Sequence, residues 1–157
     1  MAIFREGGKR AVDTSWYTAK DKLNGLASTV LQILLLILFI FVPLKFGTMW
    51  FVIGLVIFLL SLAAFISAFH NYAAAPANKP IKNDIYRWSR NPMYFFFFPG
   101  TFGACIASAS LWMLIVLIPF IAATHFIILG EERYCTETYG KEYLEYKTPT
   151  PRYFLFF

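Results

Sequence analysis

The run from Leu23 to Leu44 contains no Asp, Glu, Lys or Arg and is dominated by Leu, Ile, Val and Phe. Its length matches the roughly 20 residues that a helix needs to cross about 30 Å of hydrocarbon. A helix that is apolar on every side cannot face water, so the chain must fold in lipid. Composition agrees, since 59% of the residues are hydrophobic, well outside the range of a soluble domain. The run is too long for the apolar core of a signal peptide, and no small-x-small cleavage site follows it, so it reads as a retained span.

Three further apolar runs follow. Lys45-Phe46-Gly47 is too short for anything but a tight turn, and Thr48 to about His70 is again of spanning length. Ser61, Ala64 and Ala68 place small side chains at three- and four-residue spacing, which predicts a close-packing seam. Pro76 and Pro80 bar a continuous helix through the Asn71 to Lys82 loop. Phe95 to Ser110 is apolar and aromatic, with Pro99-Gly100 predicting a kink or local unwinding and Gly100, Ala104 and Ser108 recurring every four residues. Ser108-Ala109-Ser110 makes a minimal turn before a fourth run, Leu111 to Leu129. The expected fold is therefore all-α: a polytopic membrane protein with four transmembrane helices in two hairpins plus a C-terminal interfacial helical segment. It forms one domain, with an interfacial N-terminus over 1–22, a first hairpin over 23–75, and loop, second hairpin and tail over 76–157.

The polar segments fix the orientation. Thr14 or Ser15 is a candidate cap for a short interfacial helix carrying Trp16 and Tyr17 at headgroup depth. From Glu131 to Tyr146, Cys135, Tyr139, Tyr143 and Tyr146 recur at helical spacing, which predicts a helix along the membrane surface, divided at Gly140. Thr148-Pro149-Thr150-Pro151 then enforces an extended segment, and Tyr153 to Phe157 re-enters the interface. Four spans put the N-terminus, the 71–92 loop and the C-terminus on one side, together with every Lys and Arg except Lys45, and the positive-inside rule makes that side cytoplasmic. The net charge of +5 is scattered through juxtamembrane segments, which fits anionic lipid headgroups rather than nucleic acid. Cys105 and Cys135 have no ligand-spaced partner, so both read as packing residues and no metal site is expected.

Two polar clusters interrupt the apolar chain. In Tyr86 to Tyr94, Pro92 restricts Asn91 to extended conformations and starts the third helix. Arg87 and Arg90 suit a phosphate or carboxylate there, and they equally fit positive-inside arginines beside an aromatic belt. Glu131 and Glu132 follow the last apolar run and point about 100° apart on a helix, so one faces the bundle and the other solvent. A carboxylate there could accept from a ribose or an ammonium, pair with Arg87 or Arg90, or be solvated. His70 and His125 near the ends of the second and fourth spans read first as packing residues; His70 falls beside the loop and His125 near the glutamates.

Tyr86-Arg87-x-x-Arg90-Asn91-Pro92-Met93-Tyr94, a hydrophobic hairpin, Glu131-Glu132, Tyr139-Gly140-x-x-Tyr143-x-x-Tyr146 and Pro151-Arg152 together resemble the integral-membrane methyltransferases of the isoprenylcysteine carboxyl methyltransferase and phospholipid methyltransferase group. The usual pattern differs at Asp84, Ile85, Asn91 and Phe96. The resemblance implies an S-adenosylmethionine site built from His70, Tyr86, Arg87, Arg90, Asn91, Pro92, Tyr94, Glu131, Glu132 and Tyr139. It also implies catalytic roles for Arg90, Glu131 and Glu132, and a lipid-like or small hydrophobic acceptor reaching the site from the bilayer. A carboxylate acceptor needs an arginine to orient it, whereas an amine must lose a proton to a carboxylate or His. The competing expectations are an NADPH-dependent membrane reductase of similar C-terminal architecture and a non-enzymatic lipid-binding protein.

Overall fold

The computed structural model describes residues 14–76 and 78–154. Its helices are α1 (Ala19–Phe41), α2 (Met49–Ala74), α3 (Pro92–Ser108), α4 (Leu111–Tyr139) and α5 (Lys141–Lys147), with a 3-10 turn over Asp84–Arg87. Helices α1, α2 and α4 are long and apolar enough to cross a bilayer. Helix α3, the remaining one of the four expected spans, has 17 residues and reaches about 25 Å, short of a full crossing at zero tilt.

Local chemistry sets the boundaries. Thr18, rather than Thr14 or Ser15, caps α1: the Asp21 amide donates to Thr18 Oγ1 at 3.3 Å while the Thr18 amide donates to Asp21 Oδ2 at 2.9 Å. That reciprocal pair is a capping box. Residues 14–17 form a turn, closed by the Tyr17 amide on the Thr14 carbonyl at 3.0 Å, so no separate interfacial helix carries Trp16 and Tyr17 among the described residues. Ser110 caps α4 through the Met113 amide at 3.4 Å. Helix α3 continues through Pro99-Gly100 without unwinding, while α4 runs straight on past Glu131 to Tyr139. The expected surface helix over 131–146 is thus the last turns of α4 followed by α5. Gly140, with φ 52° and ψ −126°, occupies backbone space open only to glycine and makes the break between them.

Ala109 ends α3 in the left-handed region at φ 48°, ψ 38°. An L-residue there carries a steric cost on the order of 1 kcal/mol, partly offset in glycine by its looser unfolded chain. Ala109→Gly is therefore expected to stabilise the fold by up to about 1 kcal/mol, read as a higher midpoint in thermal unfolding in detergent.

Packing departs from the order of the chain. The most extensive contact is antiparallel, between α2 and α3, and the next is between α1 and α4. The hairpins expected from consecutive spans exist as connections, but the packing is nested, an inner pair and an outer pair. Between α2 and α3, Gly54, Ser61 and Ala68 on one helix and Gly100, Gly103, Ala104 and Ala107 on the other are buried. A Cβ on Gly54 would lie 2.4 Å from both the Ala107 nitrogen and the Gly103 oxygen, so the two backbones are in contact there. Between α1 and α4, Leu35 packs with Met113, Leu117 and Phe120, and Ser28 and Thr124 share a hydrogen bond of 2.9 Å between hydroxyls. Higher up, Arg133 Nη2 binds Asp21 and Trp16 stacks on Tyr134 with centroids 5.6 Å apart. The start of α1 is thereby fastened to α4 beyond its apolar run.

This arrangement brings the start of α1, the end of α2, the 78–91 loop, the start of α3, the end of α4 and the tail to one end of the bundle. At the other end lie the 42–48 and 109–110 turns, joined where the Lys45 amide donates to the Ala107 carbonyl at 3.0 Å.

Candidate functional site

The 3-10 turn and Pro92 bend the backbone where the loop meets α3. Pro92 is the first helical residue and lacks only an N–H that the first turn would leave unbonded. The bend buries Ser89 and Asn91 and turns Arg90 inward, toward the Glu132 side of α4.

Glu132 is the centre of the resulting cluster, 3% exposed. Arg90 reaches it from the loop with Nε on Oε1 at 3.2 Å and Nη2 on Oε2 at 3.4 Å. Arg152 reaches it from the tail with Nε on Oε1 and Nη2 on Oε2, both at 3.0 Å. Asn91 Nδ2 adds a third donor to Oε1 at 3.1 Å, and Lys147 Nζ lies 3.7 Å from Oε2. Two guanidinium forks on one carboxylate give the planar, charge-assisted geometry that arginine supplies and lysine does not. The hydrogen bonds that Arg152 donates to the Glu132 carboxylate hold its guanidinium above the ordinary range.

Arg90 also pins the tail. Its Nη1 donates to the Lys147 carbonyl at 2.9 Å and to the Thr150 carbonyl, while its amide donates to the Pro151 carbonyl at 2.9 Å. Ser89 Oγ donates to the Arg152 carbonyl at 2.9 Å, and the Tyr146 hydroxyl donates to the Tyr86 carbonyl at 2.6 Å. Pro149 and Pro151 keep the segment out of a helix, so its carbonyls are open to these donors. Burial pushes the Tyr143 and Tyr146 phenols up, as it does Tyr153, to about 12. Beyond Arg152, the Tyr153 hydroxyl and His125 Nδ1 are 2.8 Å apart, and Phe154 packs on Phe95 and Phe96 with centroids at 4.7 and 5.2 Å.

The predicted site residues therefore divide. Arg90, Asn91 and Glu132 form one bonded unit, with Tyr86 and Pro92 buried beside it. The Glu131 carboxylate contacts the Tyr94 phenol, with Tyr17 and Tyr72 in the same neighbourhood. Arg87 is exposed with its guanidinium 5.8 Å from the Trp88 ring. His70 lies exposed near the end of α2 and Tyr139 half-buried at the end of α4. Lys147, Thr150 and Tyr153 were not anticipated; the alternation of proline with polar residues before Arg152 signalled an extended strap, but nothing in their spacing gave its partners. Among the described residues no cluster of His, Cys, Asp and Glu could hold a metal ion.

Below this end of the bundle, α1, α2 and α3, with Met113 of α4, line an apolar pocket of about 360 Å³ that is open on one side, within the size range of small-molecule sites. Gln32, Ser61 and Thr101 are its polar groups, and Phe96 and Phe97 line the side toward the cluster.

No curated protein and no solved structure matches the chain. The sequence profile of phospholipid methyltransferases does, over residues 42–142. That range takes in α2, the Tyr86–Tyr94 bend, α3, and the whole of α4 with both glutamates. With an all-helical membrane fold, a bend and a carboxylate pair joined at one end of the bundle, and this match over most of its length, the chain belongs to the phospholipid methyltransferase family.

Proposed function

We propose that this protein transfers a methyl group from S-adenosylmethionine to the headgroup of a membrane lipid at the cation-rich end of the bundle. The observation that carries the reading is the family match across the residues that build the Glu132 unit. The residues fit the cofactor in kind: it presents a carboxylate, an ammonium, a ribose diol and an adenine, and this end of the fold offers guanidinium and ammonium groups, a carboxylate and tyrosines. Arg90, Asn91 and Glu132 are committed to one another, so they act as the frame, with Tyr86 and Pro92 behind them. Glu131, Tyr94, Arg87, Tyr139 and His70 are the residues that would hold the cofactor.

Bound there, the cofactor supplies an electrophilic methyl group. The chain holds donor and acceptor in line and keeps water out, which is the main source of rate in such a displacement. An amine headgroup must first lose a proton, and Glu131, whose carboxylate contacts the Tyr94 phenol, is assigned that task. The apolar cavity at bilayer depth supports lateral access for a lipid chain. The whole chain works as one membrane domain with its catalytic half from residue 76 onward, and its cation-rich end faces the cytoplasm.

Calorimetry in detergent tests the cofactor assignment. S-adenosylhomocysteine should bind the wild type, and Glu131→Gln should weaken it about tenfold or more, the loss of one charged hydrogen bond. Absence of binding by the intact chain, or stabilisation by NADPH in its place, would sink the reading.

A further inference from the structure

Around Glu132 the charges do not balance. Arg90, Arg152 and Lys147 converge on a single carboxylate, which leaves the unit with two surplus positive charges in a partly desolvated place. Arg90 is spent: its side chain is 5% exposed, and Nε, Nη1 and Nη2 all donate within the protein. The other two cations are not. Among the described residues Arg152 uses Nε and Nη2 on Glu132 and leaves Nη1, and it is 22% exposed; Lys147 stands at 3.7 Å from Oε2 with 37% of its side chain exposed.

Both are fixed in place by the strap. Arg90 holds the carbonyls of Lys147 and Thr150, and Ser89 holds that of Arg152, so the two cations are presented together without a loop having to order on binding. Depth narrows the choice of anion. The uncharged run of α4 ends at Gly130, and Glu132 lies only two residues, about 3 Å, beyond it, in the layer where phospholipid headgroups sit. Just below, Phe154 packs on Phe96, and Phe96 lines the apolar cavity, so apolar side chains continue from beside the cations to the cavity.

We infer that Lys147 and Arg152 form a binding site for the phosphodiester of a membrane phospholipid, placing its headgroup at the Glu132 unit and its chain toward the cavity. The identification of that lipid with the methyl acceptor rests on the proposed function; the anion site does not. Inorganic phosphate and the carboxylate of the methyl donor carry the same chemistry, so the test must separate all three.

The wild type in an uncharged maltoside detergent is titrated with dihexanoylphosphatidylglycerol, with dihexanoylglycerol, with inorganic phosphate and with S-adenosylhomocysteine. The same series is run on Lys147→Met and on Lys147→Met/Arg152→Gln. The phospholipid should bind the wild type more tightly than either inorganic phosphate or the phosphate-free diglyceride. Its Kd should rise about tenfold in the double variant, the equivalent of one charge-assisted contact, and by less in Lys147→Met, with a shallower salt dependence in both. In Lys147→Met, S-adenosylhomocysteine affinity should change by less than about twofold. The single variant keeps the Arg152–Glu132 pair, so it stays folded even if the double one does not. Unchanged phospholipid affinity in Lys147→Met overturns the inference, as does inorganic phosphate binding as tightly as the lipid. Loss of S-adenosylhomocysteine with the lipid unaffected gives the cations to the methyl donor and overturns it too. Failure of S-adenosylhomocysteine to bind even the wild type defeats the proposed function and leaves the anion site standing.

Discussion

Glu132→Ala is expected to lower the unfolding free energy by about 3–5 kcal/mol, the range for removing one partner of a buried ion pair. The size of the effect comes from what stays behind. Arg90, with a 5% exposed side chain, would keep its charge and lose its counter-charge, and Asn91 and Arg152 would lose the same acceptor. The strap would loosen with them. Urea or thermal unfolding in detergent gives the first readout, and limited proteolysis of residues 148–154 gives a second that is specific to the strap. Replacing the buried ionic set together, as Glu132→Met with Arg90→Met and Arg152→Met, should cost less than Glu132→Ala alone, because the one charge left, Lys147, is 37% exposed and stays hydrated. A Glu132→Ala protein with wild-type stability and a protected tail would mean that the cluster is solvated and contributes little.

The second large effect is expected at the helix crossing. Gly54→Ala and Gly103→Ala should each cost about 2–3 kcal/mol, at the upper end of ordinary overpacking. A Cβ on Gly103 would meet the Gly54 oxygen at 2.7 Å and the Phe58 nitrogen at 2.8 Å. Those are backbone atoms, which cannot swing aside, so α2 and α3 must separate along their length. Gly100→Ala is the internal control: its Cβ would meet only Ser61 Cβ, at 3.4 Å, an ordinary contact, and its effect should be within about 0.5 kcal/mol of neutral. Equal effects at Gly100 and Gly103 would contradict the close crossing.

The helices themselves were legible because length and charge exclusion leave few alternatives in lipid. The break at Gly140 and the bend at Pro92 were legible from residue types with restricted or special backbone use, and the Ser108–Ser110 turn from the lengths of the apolar runs on either side of it. Half of the seam was read as well: Ser61, Ala68, Gly100 and Ala104 lie at the α2–α3 contact. Gly54 and Gly103, the closest point, were missed, since a search for three- and four-residue spacing does not weight one glycine above an alanine. The partner of each helix was not legible. In a helix that is apolar all round, periodicity no longer marks the buried side, so sequence order alone pairs α1 with α2, whereas α1 packs on α4.

At the site, the carboxylate pair and the loop arginines could be placed on one end of the bundle from topology alone. Which glutamate turned inward depended on the rotation of α4, which depends in turn on α1 and on Gly130, where a side chain would lie 2.7 Å from Asp21 Oδ1. The second guanidinium fork, from Arg152, was further out of reach: twenty residues and a helix break separate it from Glu132, and no local spacing rule spans them.

The nested pairing also fixes a sequence of events during synthesis. Helices α2 and α3 follow one another in the chain and can close on each other as soon as both are in the bilayer. Helix α1, made before either, has its main contacts on α4, made after both, and must wait in lipid with Asp21 lacking Arg133 and Ser28 lacking Thr124. The α1–α4 interface therefore forms last, and the end of the bundle that holds the Glu132 unit is complete only once α4 and the tail have been made.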